Sequence, residues 1–311
     1  MNVVIIGGTG HIGTYLVPRL IEAGREVICV SRRNREPYQA HAAWKSVGQV
    51  VIDREEADKQ NAFGGQIRDL APDVVIDLIC FTQESAQSLV EALQGRVQHY
   101  LHCGTIWIHG HSEQVPTDEA QPRKPFGAYG INKAAIEHYL LNVARKTGFP
   151  ATLLRPGHIV GPGWIPLNPA GNFNPEVYTR LAEGKEVTLP NLGNETVHHV
   201  HADDVAQSFI KAMDKRVQSL GESFHIVSPK ALTLRGYAEA MAAWIGQKAE
   251  LRFLPWKEWK LTVSEADAEA TWDHIAHSPN CSIDKAKRLL NYNPRYSSLV
   301  AVQESVKYLM G

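Results

Sequence analysis

The sequence lacks three things: an excess of charge of one sign, closely spaced cysteines, and long apolar runs. Its 32 lysines and arginines nearly balance 33 aspartates and glutamates, so the net charge is −1 with histidine neutral. Nonspecific binding to nucleic acid or to an anionic membrane needs a basic excess, so we expect neither partner. No stretch approaches the roughly 18 apolar residues of a membrane span. The amino terminus also lacks the basic region of a signal peptide. We therefore expect a cytoplasmic protein.

Metal binding is not expected either. The cysteines of the chain are Cys29, Cys80, Cys103 and Cys281. They are too few and too scattered for a disulfide framework or a metal cluster. His199 and His201 alternate along a predicted strand and therefore share one face. No carboxylate or thiol completes a ligand set with them at a familiar spacing, so we predict no metal site.

The first half of the chain alternates short apolar runs with helical patterns. Strands are predicted at Val3–Ile6, Val27–Val30, Val50–Ile52, Val74–Ile79, Tyr100–Cys103 and Ala151–Leu154. Helices are predicted over residues 11–23, 84–93 and 129–147. This alternation is typical of an α/β protein with a parallel sheet covered by helices on both faces. After about residue 160 the pattern is irregular, with strands at Val197–Val200 and Phe224–Val227, a helix over 203–213, and mostly helices from about 230.

A glycine-rich loop joins the first strand to the first helix. Gly7, Gly10 and Gly13 have the spacing G-x-x-G-x-x-G. Glycines at these positions permit a tight turn and a close approach of the backbone to a pyrophosphate, and the helix amino terminus adds free N–H donors. The strand before the loop and the helix after it are the context that this motif requires. The loop therefore predicts a dinucleotide site; the alternative is a turn that binds nothing.

The end of the second strand indicates which dinucleotide is bound. An acidic residue there would bind a ribose 2′-hydroxyl, but the chain has Ser31 and Arg32, followed by Arg33. A serine hydroxyl and a planar guanidinium both suit a 2′-phosphate. We therefore predict NADP as the preferred cofactor, with NAD as the alternative. The same arginines could instead form a solvated loop.

Tyr129 and Lys133 begin the long helix over residues 129–147, four positions apart and on one helix face. A lysine charge would stabilise a tyrosinate and lower the tyrosine pKa, so that the tyrosine can exchange a proton with a substrate hydroxyl during hydride transfer. Thr105, just after the fifth strand, could orient the reacting oxygen. The alternative for the pair is a surface contact on a helix.

Together these motifs resemble the extended short-chain dehydrogenases/reductases of the NAD-dependent epimerase/dehydratase family, the group that includes UDP-galactose 4-epimerase. The resemblance runs over nearly the whole chain, through Gly7–Gly13, Asp73–Cys80, Thr105–Gly110, Tyr129–Lys133, Leu154–Gly157, Gly161–Pro162, Val200–Ala206 and Ile283–Pro294. It implies a doubly wound Rossmann sheet with a smaller, mostly helical C-terminal substrate subdomain. The nucleotide domain would comprise residues 1–160 with 197–227, and the substrate subdomain residues 161–196 with 228–311. It also implies a homodimer.

The resemblance assigns roles to individual residues. Thr105, Tyr129 and Lys133 would be the catalytic trio. The cofactor would contact Gly7, Thr9, Gly10, His11, Ile12, Gly13, Ser31, Arg32, Asp53, Leu78, Ile79, Cys80, Tyr129, Lys133, Pro156 and His158. The substrate would contact Thr82, Trp107, His158 and Trp164.

Departures from the family pattern narrow the expected chemistry. The Asp-Glu pair of the dehydratases is replaced by Ile106 and Trp107, which cannot transfer protons, so a dehydratase is not expected. Trp107 is then either a substrate wall or a core aromatic. The arginines that hold a substrate diphosphate are missing near residues 197–199 and 271–278. His198, His274 or Arg252 could replace them. His158 stands where the family has a substrate-facing asparagine, and is either a substrate contact or a structural histidine.

The predicted function is hydride transfer at a secondary alcohol or ketone of a sugar-like small molecule. Nucleotide-sugar 4-epimerisation is the alternative within the enzyme class. A non-catalytic NADP-binding regulatory protein is the alternative outside it, although such relatives lose the tyrosine that is retained here as Tyr129.

Overall fold

The structure is a computed structural model that describes residues 1–32 and 36–310 of the 311-residue chain. Arg33 and Arg35, which follow the predicted phosphate-binding residues, lie outside the described residues. Within these two ranges, no helix combines the length and the apolar character needed to cross a bilayer.

The first half alternates strands and helices along the chain. Its elements are β1 (Asn2–Ile6), α1 (His11–Glu22), β2 (Glu26–Ser31), β3 (Gly48–Val51), α2 (Arg54–Lys59), α3 (Phe63–Arg68), β4 (Val74–Asp77), α4 (Gln83–Leu93), β5 (His99–Cys103), α5 (Gly127–Thr147) and β6 (Ala151–Pro156). A short 3₁₀ helix, Ile106–His109, follows β5.

The second half is more irregular and mostly helical. Its elements are β7 (His158–Val160), α6 (Glu176–Ala182), β8 (Val187–Pro190), β9 (Thr196–Val197), β10 (His199–His201), α7 (Ala202–Asp214), α8 (Arg216–Ser219), β11 (Ser223–Ile226), β12 (Leu232–Thr233), α9 (Leu234–Ile245), β13 (Leu251–Leu254), α10 (Trp256–Trp259), α11 (Glu265–His277), α12 (Asp284–Leu290) and α13 (Ser298–Met310).

Seven strands form one parallel sheet in the order β11-β6-β5-β4-β1-β2-β3. Alternate residues of β1 enter opposite cores: Val3 and Ile5 pack with α1 and α7, and Val4 and Ile6 pack with α4 and α5. Burial on both faces explains why the strand is continuously apolar. The predicted doubly wound fold is confirmed. The strand order reverses between β1 and β4, where a cleft forms beyond the carboxyl ends of the strands.

The remaining strands form three small pairs beside this sheet: β10 with β7, β12 with β9, and β13 with β8. The prediction of one strand over Val197–Val200 was wrong. The segment is two strands in different sheets, because its first part pairs with β12 and its second part with β7, while the ring of His198 between them binds the Ser228 carbonyl and the Cys281 amide. A third core packs these strands against helices through Leu181, Tyr237, Met241 and Trp259, among others.

Histidines contribute much of the buried polar surface. The chain has 14 histidines. Burial lowers the pKa of ten of them, His99, His102, His109, His158, His198, His199, His201, His225, His274 and His277. The shifted values lie at about 3 for His102 and about 4 for His99. These rings are therefore neutral in the folded chain at neutral pH.

We predict a steep acid loss of stability between about pH 6.5 and pH 4. In that window the unfolded chain binds more protons than the folded chain, because the unfolded histidines titrate near 6.5. Stability is therefore full above pH 6.5 and falls as the pH is lowered through the window. Urea unfolding followed by circular dichroism across this range measures the slope.

His102→Met tests the cause. His102 is fully buried, and within the described residues neither of its ring nitrogens has a hydrogen-bond partner. Removing its one proton should flatten the stability slope by about 1.4 kcal/mol per pH unit near pH 5. His138→Gln is the control, because His138 is exposed on α5 and its replacement should leave the slope unchanged. An equal slope in wild type and His102→Met would contradict the prediction.

Candidate active site

The glycine loop connects β1 to α1 at the switch point of the sheet. Gly7 has φ +85, and a Cβ on it would lie 2.7 Å from Cγ2 of Ile79. A Cβ on Gly13 would lie 1.8 Å from the carbonyl oxygen of Gly8. A side chain at Gly7 would collide with Ile79, and one at Gly13 would collide with the backbone of Gly8. Either collision would distort the loop between the strand and the helix. The loop leaves a backbone cradle of the kind that a pyrophosphate fills.

The cradle opens into a cleft of about 630 Å³ that follows the carboxyl ends of β1, β4 and β5. The loop lines it with Gly7, Gly10, His11 and Ile12. The first N–H groups of a helix have no acceptor within the helix, so the amino terminus of α1 offers donors and a positive dipole end here. Thr9 and Gly13 pack in the loop outside the cleft lining.

Lys133 extends from α5 into the base of the cleft and is almost fully buried. Its Nζ donates to the carbonyl oxygens of Cys80, at 2.8 Å, and Cys103, at 2.9 Å. Burial lowers the pKa of this lysine. An ammonium has three donors, and two are engaged with the ends of neighbouring strands. The third remains for a ligand in the cleft.

Tyr129 lies one helical turn before Lys133, and it lines the cleft together with Thr105. Tyr129 is 44% exposed as a residue and lines the cleft. Desolvation by the cleft walls raises the pKa of Tyr129 to about 12, while the neighbouring Thr105 hydroxyl acts in the opposite direction. The expected lowering by Lys133 is not seen in the protein alone, since two carbonyls hold the ammonium 5.9 Å from the Tyr129 ring centroid.

The other predicted cofactor contacts divide into two groups. Leu78, Ile79, Pro156 and His158 line the cleft. The second group, which lies outside the cleft lining, comprises Cys80, Ser31, Arg32 and Asp53. The carbonyl oxygen of Cys80 accepts a hydrogen bond from Lys133. Ser31 ends β2 and Arg32 is exposed beside it. Asp53 caps α2 by accepting from the amides of Glu55 and Glu56. The roles of Ser31, Arg32 and Asp53 stay predictions.

The four predicted substrate contacts lie at different places. Trp107 and His158 face the cleft beyond Tyr129. Trp164 also lines it but stacks on His11, with ring centroids 3.4 Å apart and an angle of 3°, so it covers the glycine loop. The structure does not bring Thr82 into the cleft lining. Its hydroxyl caps α4 by accepting from the Ser85 amide, and the preceding residue, Phe81, lines the cleft instead.

Trp107 has both of the roles considered from sequence. One edge faces Tyr129 at 6.0 Å, and one face stacks on His277 at 4.2 Å. His277 in turn stacks on Phe126 at 4.0 Å. Trp107 is therefore a cleft wall that the packing between α11 and the segment before α5 holds in place.

The sequence patterns did not indicate several cleft residues, among them Phe81, Phe173 and Asp273. Phe173 packs on His158, with ring centroids 5.4 Å apart. Asp273 is exposed on α11, next to His274, and nothing in its local pattern sets it apart from other helix-surface carboxylates. Only the packing of α11 over the sheet brings it to the cleft.

The suggested replacements for diphosphate-binding arginines lie mostly elsewhere. Both ring nitrogens of His198 are engaged by backbone groups. Arg252 is exposed on β13, outside the cleft lining. His274 does line the cleft, while its Nδ1 donates to the Ala270 carbonyl at 2.6 Å.

The histidines of β10 have structural partners. His199 bonds to the Leu167 carbonyl through Nε2, and Nδ1 of His201 accepts from the Asp203 amide. In the two described ranges, no group of three or more histidine, cysteine or acidic side chains is arranged to hold a metal ion.

Comparison with known proteins places this site in context. The profile of the NAD dependent epimerase/dehydratase family matches residues 3–226, more than half of the chain. A UDP-glucose 4-epimerase of Corynebacterium glutamicum is 24% identical over 98% of this chain and 94% of its own length. A chloroplast stem-loop binding protein of Arabidopsis thaliana is also 24% identical, over 98% of this chain and 78% of its own length.

A solved structure extends the comparison to the fold. UDP-glucose 4-epimerase of Thermotoga maritima superposes with a TM-score of 0.76 and 22% identity, covering 100% of this chain and 99% of that chain. At this level of identity the likeness shows that the fold is shared.

We predict that Lys133→Met destabilises the protein by about 1–3 kcal/mol, because the buried Cys80 and Cys103 carbonyls lose their donor. The same change should also weaken cofactor binding, because it removes the third N–H donor of Lys133. Lys146→Met, at the exposed end of the same helix, is the matched control and should change stability by less than about 0.5 kcal/mol. Urea unfolding gives both values, and equal effects of the two substitutions would contradict the assigned role.

Proposed function

The chain belongs to the NAD-dependent epimerase/dehydratase family, and on that premise we propose that it transfers hydride at a secondary alcohol or ketone of a sugar-like small molecule, with NADP as the preferred cofactor. The family match confirms the enzyme class that the motifs predicted, an NAD(P)-dependent extended short-chain dehydrogenase/reductase. The observation that carries the proposal is one cleft that joins the glycine loop to Thr105, Tyr129 and Lys133.

The trio can exchange a proton with a substrate oxygen. Thr105 and Tyr129 line the same cleft, so a hydroxyl or carbonyl oxygen placed between them would meet both groups. Tyr129 would give a proton to that oxygen during reduction and take it during oxidation. Lys133, fixed by its two carbonyl acceptors, would direct its third N–H and its charge towards the bound cofactor. A bound nicotinamide would supply the hydride acceptor or donor.

The cofactor fits the residues that are present. The Gly7 and Gly13 cradle and the amino terminus of α1 would hold the pyrophosphate. Leu78, Ile79 and Pro156 would flank the dinucleotide. Ser31 and Arg32 at the end of β2 support NADP, since no acidic side chain stands there to bind a 2′-hydroxyl. The division into a nucleotide domain and a substrate subdomain belongs to the same proposal.

Nucleotide-sugar 4-epimerisation is the second candidate. The epimerase relatives support it, because they align over nearly their full length. The cleft supports net oxidation or reduction of a substrate without a diphosphate instead, since a planar guanidinium clamp is missing from its described lining.

We predict that Tyr129→Phe lowers kcat by about 10²- to 10⁴-fold, because the proton-transferring hydroxyl is lost. The measurement is NADPH oxidation with a panel of keto-sugars and UDP-sugars, followed by absorbance and by product stereochemistry. NADPH binding should persist, since the ring stays in place. Tyr139→Phe, on the same helix, is the control and should retain activity. Undiminished turnover by Tyr129→Phe would refute the mechanism.

Cofactor preference gives a separate prediction. We expect NADPH to bind at least about tenfold more tightly than NADH, and Arg32→Ala to remove most of this difference by weakening NADPH alone. Arg68→Ala is the control, because Arg68 is an exposed arginine that pairs with Asp69 on α3 and is not part of β2. Fluorescence titration of each variant with both dinucleotides measures the preference. Tighter binding of NADH by the wild type would show that the preference is reversed.

A further inference from the structure

The substrate end of the cleft has an unusual charge pattern for a site that would hold a diphosphate. Among the lysines and arginines that the structure describes, Lys133 alone lines the cleft. Its ammonium is already bonded to the Cys80 and Cys103 carbonyls at the base of the cleft, where the cofactor is proposed to bind, rather than at the far wall. A diphosphate in the remaining space would meet no guanidinium from the described residues, and this is the group best shaped to bind it.

A carboxylate faces the same space. Asp273 lines the cleft from α11, and no described residue donates a hydrogen bond to its side chain or pairs with its charge. Like charges repel more strongly beside a partly enclosed cleft than in open water, because the local dielectric is lower. An unpaired carboxylate disfavours a phosphate and suits the hydroxyl groups of a neutral ligand, since it can accept hydrogen bonds from them.

His158 provides a second polar contact. It is half-buried at the start of β7 and lines the cleft. Its ring packs against Phe173 and His274, at 5.4 and 5.6 Å, and no described side chain or backbone group hydrogen-bonds to its ring nitrogens. Burial, together with the neighbouring His274 and His199, lowers the pKa of His158. The neutral ring offers one donor and one acceptor to a ligand.

The rest of the wall is apolar and partly exposed. Phe81 is 52% exposed, Phe173 41% and Ile165 38%, and all three line the cleft. Large apolar side chains that remain exposed within a concave site are typical of ligand contacts. Trp107 adds an aromatic edge. The wall therefore combines apolar surface with a few polar groups, of which one is anionic.

We propose that the substrate is an uncharged, hydroxylated carbonyl or alcohol compound with an apolar face, and that Asp273 and His158 select it over phosphorylated or nucleotide-linked compounds. This inference rests on the proposed function, because it concerns the partner of the same hydride transfer. Asp273 and His158 bind hydroxyl groups of the substrate, and Phe81 and Phe173 contact its apolar face.

The test is the binding of UDP to the full-length protein loaded with NADP⁺, measured by titration calorimetry near 150 mM salt. We expect a dissociation constant above about 1 mM for the wild type. Asp273→Arg should tighten UDP binding at least about tenfold, because it replaces a repulsive charge with a phosphate-binding group. Glu265→Arg is the control: it makes the same charge change about 12 Å away along α11, beyond the Debye length, and should have no effect.

Tighter binding of UDP than about 1 mM by the wild type would overturn the proposal. Equal effects of Asp273→Arg and Glu265→Arg would also overturn it, since Asp273 would then not face the ligand. These measurements need no turnover, so they stay decisive if no carbonyl compound is reduced, an outcome that would count against the proposed function alone. Conversely, NADPH-dependent turnover together with tight UDP binding would leave the hydride-transfer function standing and refute only the substrate class.

Discussion

A buried ammonium group held by two backbone carbonyls is the constraint on which the cleft depends. Lys133 can remain charged in this position only because the carbonyls of Cys80 and Cys103 take the place of water. These carbonyls lie at the ends of neighbouring strands, so one side chain fixes the distance between β4, β5 and α5. Tyr129 is then set one turn earlier on the same helix, facing Thr105 two residues beyond Cys103. The relative placement of Thr105, Tyr129 and Lys133 is thus a consequence of how one buried charge is solvated.

Other buried charged side chains in the first half of the chain are paired within the core and do not line the cleft. Asp77 is fully buried, pairs with Arg54 at 2.7 Å and accepts from the Tyr100 hydroxyl, and the Arg54 guanidinium helps to keep the pKa of this carboxyl low against the effect of burial. Arg155 and Glu137 form a second buried pair at 2.6 Å. Because these pairs are internal, the charged side chains that line the cleft among the described residues are Lys133 and Asp273, beside neutral histidine rings and the positive end of α1.

The sequence-based prediction succeeded where the signal is local. The glycine loop, the buried strands and the Tyr129–Lys133 spacing are each patterns that lie within a few residues. The apolar runs of the strands follow directly from burial on both faces of a sheet. Helices α2 and α3 were missed, since each has only six residues and little periodicity. The short pairs β8–β13 and β9–β12 join segments far apart in the chain, which no local pattern can indicate.

The site shows the same division. Thr105 and Lys133 could be proposed from position, but the carbonyl partners of Lys133 lie 53 and 30 residues away. The lowered pKa expected for Tyr129 was wrong for the protein alone, because desolvation outweighs an ammonium that is already bonded elsewhere. The resemblance implied a substrate contact at Thr82, yet the start of α4 uses its hydroxyl as a cap. Phe173 and Asp273 could not be found, since their roles arise only from the packing of the second half over the sheet.

The shared fold and the residues that line the cleft therefore indicate different things about the ligand. A UDP-glucose 4-epimerase and a stem-loop binding protein are each 24% identical to this chain over 98% of its length, so likeness on this scaffold does not settle what is bound. The wall does discriminate, because its charge, its neutral imidazole and its exposed apolar rings must match the ligand directly. Asp273 is unfavourable for a nucleic-acid phosphate for the same reason that it is unfavourable for UDP: both would bring a second anion to a carboxylate that lacks a described counter-charge. On the proposal made above, the residues around the cleft suit chemistry on a small neutral molecule better than either of the roles named for these relatives.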